Sequence, residues 1–371
     1  ADVGIAGAGQ LARMTCLAAW PMGVKVAILG RPDEPSAPMA AALVEGDWHE
    51  AEDVAALGRA ARVVTLENEF VDADALAAVE AAGTPVRPLP SALATVQDKA
   101  LQKRLLADAG LPVPRFLVAE SPADLAAAGR DLGWPLMLKA RKLGYDGRGN
   151  ATCRTPDEAA EAFARLDAGE GVLVEEMIRF ERELAVMVAR SNARERVVYP
   201  VVETVQRDHV CHEVRAPAVI DEAIAHTAAD IAAGAVDAAE GLGVTGVEMF
   251  LVDDRVVINE LAPRPHNSGH YTIEACETSQ FENHLRGILG LPLGSAEMRV
   301  PAAVMINLLG SRTAPARPRI GPALGVRGAH LHLYDKREVR PGRKMGHVTC
   351  LGQDLSIAHS RAQHAAQEVG L

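Results

Sequence analysis

The chain has 371 residues, of which 49% are hydrophobic, and it carries a formal net charge of −11 at pH 7. This length and composition exclude a disordered chain and provide for two or three hydrophobic cores. The negative charge offers no overall positive field to recruit a nucleic-acid backbone, so an anionic ligand has to be bound by a local cluster of cations.

The cysteines and the first residues predict a cytoplasmic protein. The five cysteines are scattered and form no CxxC pair, a usage typical of the cytosol rather than of a disulfide framework or a zinc site. The run VGIAGAGQLARM reaches Gln10 and Arg13 too early for a signal peptide or a membrane span. We therefore expect a soluble cytoplasmic chain with no nucleic-acid partner and no membrane partner.

Residues 1–95 are predicted to form a Rossmann-like α/β domain. The runs VGIAG, VKVAILG and RVVTLE have the composition of strands, and GQLARMTCLAAWPMG has that of a helix. Strands and helices that alternate through short turns predict a parallel sheet covered by helices. The proline-marked segment GTPVRPLPSAL (83–93) marks the exit from this domain.

The first loop of this domain leaves two interpretations open. GAGQLA (7–12) fits the pattern GxGxxA between a strand and a helix, which is a dinucleotide-binding fingerprint. The acidic residue that should close the second strand is absent, and Gly30 and Arg31 stand there instead. Because an arginine suits a 2′-phosphate, an NADP-dependent oxidoreductase is an alternative hypothesis. The other interpretation is a tight turn that only opens a helix.

Residues 96–311 are predicted to be α+β, because their strands do not alternate strictly with helices. The segment ATVQDKALQKRLLADAG is predicted to be one helix that ends at Gly110. The strand-like runs are PLMLKA, GVLVEEMI, ELAVMVAR, VVYPVVE, GVEMFLV and RVVINEL, and the helical ones are PDEAAEAFARL and EAIAHTAADIAAGAVDAAEGL. The passage RTAPARPRIGPALG (312–325) then introduces a small basic C-terminal domain, residues 312–371.

The segment KLGYDGRGN (142–150) has the composition of a loop that folds over phosphates. Gly144, Gly147 and Gly149 give it flexibility and let its backbone amides approach a ligand closely. Lys139, at the end of the preceding strand, and Lys99 can direct ammonium groups at the same phosphates. An ordinary turn is the alternative for the loop taken alone, but loop, lysines and the carboxylates described below together favour a nucleotide clamped between two β layers.

The run LVEEMIRFERE (173–183) is typical of a hinge that reads adenine. A strand, a short connection and then Glu183 would let backbone groups contact the base while the carboxylate accepts hydrogen bonds from ribose hydroxyls. A solvated glutamate is the simpler interpretation of Glu183.

Glu248 and Glu260 are predicted to face each other across a β-hairpin. GVEMFLV and RVVINEL flank Asp253 and Asp254, and a loop over 253–255 would place the two glutamates directly opposite on one face. A two-residue loop would send them to opposite faces unless a strand carries a bulge. Two carboxylates among apolar residues need a neutralising cation, and magnesium between carboxylates and nucleotide phosphates is the natural occupant. Asn259 or Asn267 could add a neutral oxygen.

Two further segments favour an anion pocket. INELAPRPHNSGHY (258–271) brings Arg264 and His266 directly after a strand, and YDKREVRPGRKMGH (334–347) concentrates basic residues in an acidic protein. No aromatic stacking platform accompanies these charges, so a phosphate monoester fits better than a nucleic acid. A solvated charged face is the alternative for the basic run.

These motifs together resemble the ATP-grasp superfamily, and within it the N5-carboxyaminoimidazole ribonucleotide synthetases of purine biosynthesis. The resemblance runs from GQLARM through QDKALQK, LKARKLGYDGRGN, FERELAVMVAR and GVEMFLV to RKMGH, and the segment 259–294 is its most specific part. It implies an ATP-grasp fold, with an N-terminal α/β domain at 1–95, an ATP-grasp domain at 96–311 and a small C-terminal domain at 312–371. The family start usually reads like GILGGGQLGRM, whereas this chain has Ala6, Ala8 and Ala12.

The resemblance also implies the reaction and the residues that perform it. ATP, bicarbonate and 5-aminoimidazole ribonucleotide would give ADP, phosphate and N5-carboxyaminoimidazole ribonucleotide through carboxyphosphate, with Mg²⁺ as the metal and a homodimer as the assembly. The residues expected to bind ATP are Lys99, Lys139, Gly144, Gly147, Gly149, Glu175, Glu176, Ile178, Glu183 and Asn259, and the metal ligands are Glu248 and Glu260. The catalytic residues would be Asp146, Arg148 and Arg264, and the substrate would further contact Gln10, Glu67, Tyr145, His266, Asn267, Lys336 and Arg343.

Two alternatives within the superfamily differ in specific residues. The sibling formate-dependent glycinamide ribonucleotide transformylases usually carry Asp and Thr where this chain has Asn267 and Ser268. A non-catalytic nucleotide-binding relative is disfavoured because every expected charged residue is present.

Phosphorylation is what makes bicarbonate electrophilic, and lysines, loop amides and a metal would neutralise the charge that develops during the transfer.

Overall fold

The computed structural model describes residues 1–142, 149–193, 195–207 and 210–371. In its first part a parallel sheet has the strand order β3-β2-β1-β4. Helices cover this sheet, as the alternating sequence pattern predicts. The elements are β1 Val3–Ala6, α1 Gln10–Ala19, β2 Val26–Gly30, β3 Ala42–Glu45, α2 Ala51–Ala60, β4 Val63–Leu66, α3 Ala73–Ala81 and α4 Pro90–Gln97.

The first sheet brings two loops of the candidate site together. Strands β1 and β4 are fully buried neighbours that run in parallel, so the residues that follow them leave at the same edge. The loop after β1 contains Gly7 and Gly9 and leads into α1, and the loop after β4 contains Glu67 and Glu69. This edge forms one wall of the site.

The second part contains a four-stranded antiparallel sheet in the order β5-β8-β6-β7, with α6 and α7 packed against it. Its elements are α5 Lys99–Asp108, β5 Phe116–Ala119, α6 Pro122–Leu132, β6 Leu136–Ala140, β7 Asn150–Cys153, α7 Pro156–Leu166 and β8 Val172–Glu176.

The prediction of one continuous helix from Ala94 to Gly110 is wrong. The chain turns at Asp98, whose backbone is extended (φ −94°, ψ 108°), and this residue separates α4 from α5. The Asp98 carboxylate accepts hydrogen bonds from the backbone N–H groups of Ala100 and Leu101, as an N-cap does. The break lets Lys99 begin a new helix beside the site.

A second, larger sheet runs from the middle of the chain into the C-terminal region. Among the described residues it has the order β14-β13-β9-β11-β12-β15-β19-β17, with β10 paired to β9. Its first elements are β9 Arg182–Arg190, β10 Arg196–Val198, β11 Val202–Arg207, β12 Val210–Ala216, α8 Glu222–Ala238, β13 Gly243–Val252, β14 Arg255–Ala262, α9 Thr272–Ala275 and α10 Gln280–Leu289.

The C-terminal elements complete this sheet and cover one end of it. They are β15 Ala302–Leu309, β16 Ala314–Pro315, α11 Ile320–Leu324, β17 Ala329–Leu333, β18 Glu338–Val339, β19 Lys344–Gly352 and α12 Leu355–Val369. Strands β15 and β19 share a hydrophobic core with α12. The division at residues 95 and 311 stays a prediction. Within the described ranges no helix is both long enough and apolar enough to cross a membrane.

Helix α10 fastens the first sheet to the large one. Its Leu285 and Ile288 belong to the same core as Val3 and Ile5 of β1. Beside them, His284 accepts a hydrogen bond from the Val244 backbone N–H at Nδ1 (3.1 Å). The proton therefore lies on Nε2, which is 2.9 Å from Thr65 Oγ1 on β4. Burial lowers the pKa of His284 to about 4.

We predict that His284 makes the stability of the fold depend on pH. Because its pKa is 6.5 when unfolded and about 4 when folded, the unfolded chain binds a proton that the folded chain excludes. The resulting stabilisation, up to roughly 3 kcal/mol, is present above pH 6.5 and is lost as the pH falls towards 4. Thermal unfolding at pH 7, 6, 5 and 4 should show a flatter profile for His284→Asn, which retains an acceptor for Val244. His364→Asn, at an exposed position of α12, is the control, and equal slopes in all three proteins would contradict the assignment.

Candidate active site

The hairpin of β13 and β14 carries the two predicted metal ligands. Its loop has two residues, Asp253 and Asp254, both at positive φ (46° and 62°), so the three-residue loop is wrong. A two-residue loop alone would pair Glu248 with Asn259. A register shift after Glu248 corrects this, and Glu248 lies opposite Glu260. The predicted pairing of the glutamates is thus present, but a β-bulge at Asn259 produces it.

The two glutamates have opposite electrostatic environments. Burial raises the pKa of Glu248, and the neighbouring negative charge of Glu260 raises it further. Burial acts in the same direction on Glu260, but the Lys99 ammonium, 2.5 Å from its Oε2, and Lys139 hold its pKa below the usual value. Glu248 is therefore the member of the pair that gives up its proton less readily.

A buried group of two lysines and one glutamate lies behind Glu260. Glu175 on β8 is 2.7 Å from Lys139 Nζ through one carboxylate oxygen and 3.0 Å from Lys103 Nζ through the other. Lys139 also donates to the Asn259 side-chain oxygen (3.1 Å). The prediction that Glu175 contacts adenosine is not tested, but its carboxylate is engaged by these lysines.

Arg264 is held by a carboxylate that the sequence analysis did not select. Its guanidinium forms two hydrogen bonds with Glu69, from Nε to Oε2 and from Nη2 to Oε1 (2.9 Å). Burial alone would raise the pKa of Glu69 and lower that of Arg264, but the ion pair reverses both shifts. Arg264 thus stays charged and oriented by the loop after β4.

His266 stands beside the glutamate pair as a neutral imidazole. Burial and the nearby Arg264 charge lower its pKa to about 4. Its Nε2 lies 3.5 Å from Glu248 Oε1, and its Nδ1 lies 2.9 Å from Ser268 Oγ. The next residue, Asn267, exchanges two side-chain hydrogen bonds with Asn307 of β15 (3.0 and 2.7 Å). These contacts fix the loop after β14 against the C-terminal strands.

Glu67 occupies the start of α1. Its carboxylate accepts hydrogen bonds from the backbone N–H groups of Gly9 and Leu11 (3.2 Å for Leu11), so it satisfies the end of the helix next to Gln10. Gly7 takes the positive φ of this loop (110°). Burial raises the pKa of Glu67, and these hydrogen bonds only partly oppose the shift.

A single cavity of about 1050 Å³ connects these groups. Its lining includes apolar side chains, the lysines and glutamates described above, and a polar set; the apolar residues are Met137, Ile178, Phe180 and Phe250, and the polar ones are Gln10, Glu67, Arg264, His266 and Asn267. Phe250, Glu248 and Gly246 are alternate residues of β13 and so share one face, and the His266 side chain lies against Gly246. Apolar residues, carboxylates and His266 thus follow one another along this strand. Of the remaining predicted residues, Glu176, Glu183 and Asn259 also line it.

The predicted basic residues of the C-terminal domain lie near this cavity through Lys344. Lys344 is part of the cavity wall, and its backbone oxygen accepts a hydrogen bond from Lys336 Nζ (2.8 Å). Arg343 donates to the Glu338 backbone oxygen (3.0 Å). Their predicted contact with substrate stays a prediction. Gly149 is described, with φ 89°, whereas Gly144, Tyr145, Asp146, Gly147 and Arg148 lie outside the described residues.

Comparison with known proteins identifies the family. Residues 1–97 match the ribonucleotide synthetase preATP-grasp domain, 104–281 the ATP-grasp domain and 303–361 the phosphoribosylaminoimidazole carboxylase C-terminal domain. The N5-carboxyaminoimidazole ribonucleotide synthase of Synechococcus elongatus is 43% identical, in an alignment that covers 98% of this chain and 92% of the relative. The chain belongs to this synthase family. The predicted fold class and the predicted ATP-grasp ligase are confirmed, and family membership decides against the nicotinamide alternative.

Other relatives of the family agree in sequence and structure. The phosphoribosylaminoimidazole carboxylase of Schizosaccharomyces pombe is 40% identical over 97% of this chain and 67% of its own length. The structure of the Aspergillus clavatus synthase with ADP and 5-aminoimidazole ribonucleotide has a TM-score of 0.91 at 39% identity, covering 99% of this chain and 97% of that one. The structure of the Thermus thermophilus synthetase has a TM-score of 0.90 at 36% identity, and the alignment covers 100% of this chain and 99% of that one.

Sequence reasoning missed Glu69, Lys103 and Lys344. Glu69 stands two residues after Glu67 in the loop that follows β4, and that position was a signal for a second carboxylate at the sheet edge. Lys103 follows Lys99 by one helical turn, so it faces the same way, but a lysine on a helix is ordinarily solvated.

We predict that Gly9→Ala disturbs the Glu67 contact. A Cβ at this position would lie 2.2 Å from Glu67 Oε1, so the carboxylate has to leave the start of α1. Loss of this cap should reduce the free energy of unfolding by about 1–2 kcal/mol, measured by chemical denaturation. Gly321→Ala in α11 is the matched control, because its Cβ would have no neighbour within 4 Å. Equal stability of the two variants would show that Glu67 does not cap α1.

Proposed function

We propose that this member of the family uses its one continuous cavity to couple ATP cleavage to carboxylation of 5-aminoimidazole ribonucleotide by bicarbonate. The proposal rests on the order in which apolar, charged and anion-binding side chains follow one another along the cavity. Apolar side chains are followed by the lysines and the paired carboxylates, and these by Arg264 and His266. A phosphoryl donor and its acceptor could therefore meet without leaving the cavity.

The nucleotide would lie against the apolar side chains of the cavity. Met137, Ile178 and Phe250 offer surfaces for adenine, and the loop between β8 and β9 offers backbone groups at its edge. Glu183, which lines the cavity, would accept hydrogen bonds from the ribose hydroxyls. Lys139 would contact the phosphates, and its pairing with Glu175 fixes where its ammonium lies.

The paired glutamates fit a divalent cation. Among the described residues no cluster of three or more His, Cys, Asp or Glu side chains is arranged to hold a metal. Two carboxylates together with nucleotide phosphates are, however, the usual way in which Mg²⁺ is bound. Burial and the neighbouring charge of Glu260 raise the pKa of Glu248, and a divalent cation between the two carboxylates would oppose both effects. Bound there by Glu248 and Glu260, Mg²⁺ would neutralise charge on the phosphates during transfer.

The polar set would hold bicarbonate and the ribonucleotide. A bicarbonate oxygen attacks the γ-phosphorus and displaces ADP, which gives carboxyphosphate. The amine of the ribonucleotide then forms the C–N bond with the carboxyl carbon of carboxyphosphate, or of the CO₂ that it releases, and phosphate leaves. Arg264 would hold the carboxylate in both steps, because Glu69 presents its guanidinium to the cavity in a fixed orientation.

The remaining assignments for the acceptor rest on family resemblance. Gln10, Glu67, His266 and Asn267 line the cavity and would contact the ribonucleotide. Lys336 and Arg343 would approach its phosphate, and Tyr145, Asp146 and Arg148 would contact the reacting groups, with Asp146 taking the amine proton. A homodimer and a cytoplasmic location complete the proposal. The five unpaired cysteines support the location, and light scattering tests the dimer.

We predict that Glu260→Gln lowers ADP release by at least about 100-fold, because it removes the partner of Lys99 and one of the two facing carboxylates. ADP would be measured with magnesium, ATP and bicarbonate, with and without 5-aminoimidazole ribonucleotide. The wild-type protein should be strongly stimulated by the ribonucleotide.

Asp254→Asn is the control for this hairpin, because asparagine tolerates the positive φ of 62° in the turn. It should retain wild-type turnover. Turnover with formate and glycinamide ribonucleotide instead of bicarbonate and aminoimidazole ribonucleotide would replace the proposed reaction with that of the sibling enzymes.

A further inference from the structure

Among the described residues β14 is the edge strand of the large sheet, so the backbone groups on its outer side have no neighbouring strand to pair with. On that side the Ile258 N–H donates to the Pro112 backbone oxygen (2.8 Å). At the bulge the carbonyl groups of Ile258 and Asn259 both turn to this outer side, whereas successive carbonyls of a regular strand point in opposite directions.

The ladder pairs Met249 with Ile258 and then Glu248 with Glu260, so Asn259 has no residue opposite it. Buried carbonyl and N–H groups at such a point need other partners, or the bulge is costly.

Helix α5 supplies these partners through two buried side chains. Lys103 Nζ donates to the backbone oxygens of Ile258 (3.1 Å) and Asn259 (2.7 Å). Gln102 Oε1 accepts from the Leu261 backbone N–H at 2.9 Å. Together they contact the strand from the residue before the bulge to the residue after Glu260.

Lys103 is buried, so it is not an ordinary solvated lysine on the surface of a helix. Its side chain is 2% exposed and lies behind the wall that Lys139 and Glu175 form. An ammonium group has three N–H donors, and here two carbonyl oxygens and one Glu175 oxygen surround it. Burying a charged group is expensive unless such partners are present, so the arrangement is specific to this place in the fold.

We propose that Lys103, assisted by Gln102, is a positioning residue that holds the β14 bulge and thereby keeps Glu248 and Glu260 on one face of the hairpin. Without the bulge, the two-residue loop would pair Glu248 with Asn259 and turn Glu260 to the other face. The inference rests on the proposed function only in assigning the two glutamates to a divalent cation.

A simple charge-balancing role for Lys103 accounts for fewer of its contacts. Glu175 already has Lys139 at 2.7 Å, and two of the three Lys103 contacts go to the bulge instead of to Glu175. Gln102 is uncharged, yet it fixes the same segment of β14. The charge-balancing role and the positioning role predict different cation binding when Glu175 is neutralised together with Lys103.

The test compares Lys103→Met and Gln102→Leu in the full chain, with Lys25→Met, at an exposed position, as the control for a lysine-to-methionine change. Binding of Mn²⁺·ADP, followed by the electron paramagnetic resonance of Mn²⁺, is the readout that does not depend on turnover. We expect Lys103→Met to weaken this binding about 10–100-fold, as loss of a residue that orients metal ligands does, and Gln102→Leu to weaken it less. The magnesium concentration for half-maximal ADP release should rise in parallel, while the KM for the ribonucleotide stays within about 2-fold.

The double variant Lys103→Met/Glu175→Gln separates the two roles. Binding of Mn²⁺·ADP that stays weak in it supports positioning, and recovery to the level of Glu175→Gln alone overturns it. Wild-type cation dependence in both Lys103→Met and Gln102→Leu also overturns it. A wild-type protein that binds Mn²⁺·ADP but shows no ribonucleotide-stimulated ADP release contradicts the proposed function, and the binding comparison still decides the role of Lys103.

Discussion

The balance of charge inside the cavity is the constraint on which the rest of the site depends. Three lysines, Lys99, Lys103 and Lys139, face Glu175 and Glu260 at distances of 2.5–3.0 Å. The charges of Lys103, Lys139 and Glu175 are buried, so each of them is costly unless the others are present, whereas the Glu260 side chain is 38% exposed to the cavity. The elements that carry them must therefore come together as a set, and helix α5 contributes two of the three cations.

The same constraint ties the first domain to the chemistry. Arg264 follows β14, but the carboxylate that orients it belongs to Glu69, after β4. On the far side of the same interface, His284 joins α10 to Thr65 of β4. The parallel sheet thus acts as a rigid support for one wall of the cavity, whereas its first loop is closed by Glu67.

The sequence predicts features that depend on neighbouring residues, but not features that depend on contacts between distant segments. The helices α7 and α8 and the facing of Glu248 and Glu260 follow from local patterns, and the structure agrees. The predicted strand VVYPVVE is instead divided between β10 and β11 around Tyr199 and Pro200. The sequence allowed a bulge only as an exception to the two-residue loop and could not locate it, because the partners of the bulge come from another element. The break at Asp98 was hidden for a related reason, since an aspartate that caps a helix also fits inside a continuous apolar pattern. Contacts between distant segments, such as Arg264 with Glu69, leave no periodic signal at all.

The amide pair between Asn267 and Asn307 has a consequence for how related sequences can diverge. Asn307 uses its other N–H to reach the Cys211 backbone oxygen (2.9 Å), so its amide cannot turn over without losing that bond. An aspartate at position 267, as the sibling enzymes usually carry, would bring a second acceptor against the Asn307 oxygen and repel it. Replacement at one position therefore demands a donor at the other. In this chain the two side chains therefore constrain each other, and a change at position 267 alone would leave Asn307 with an unfavourable contact.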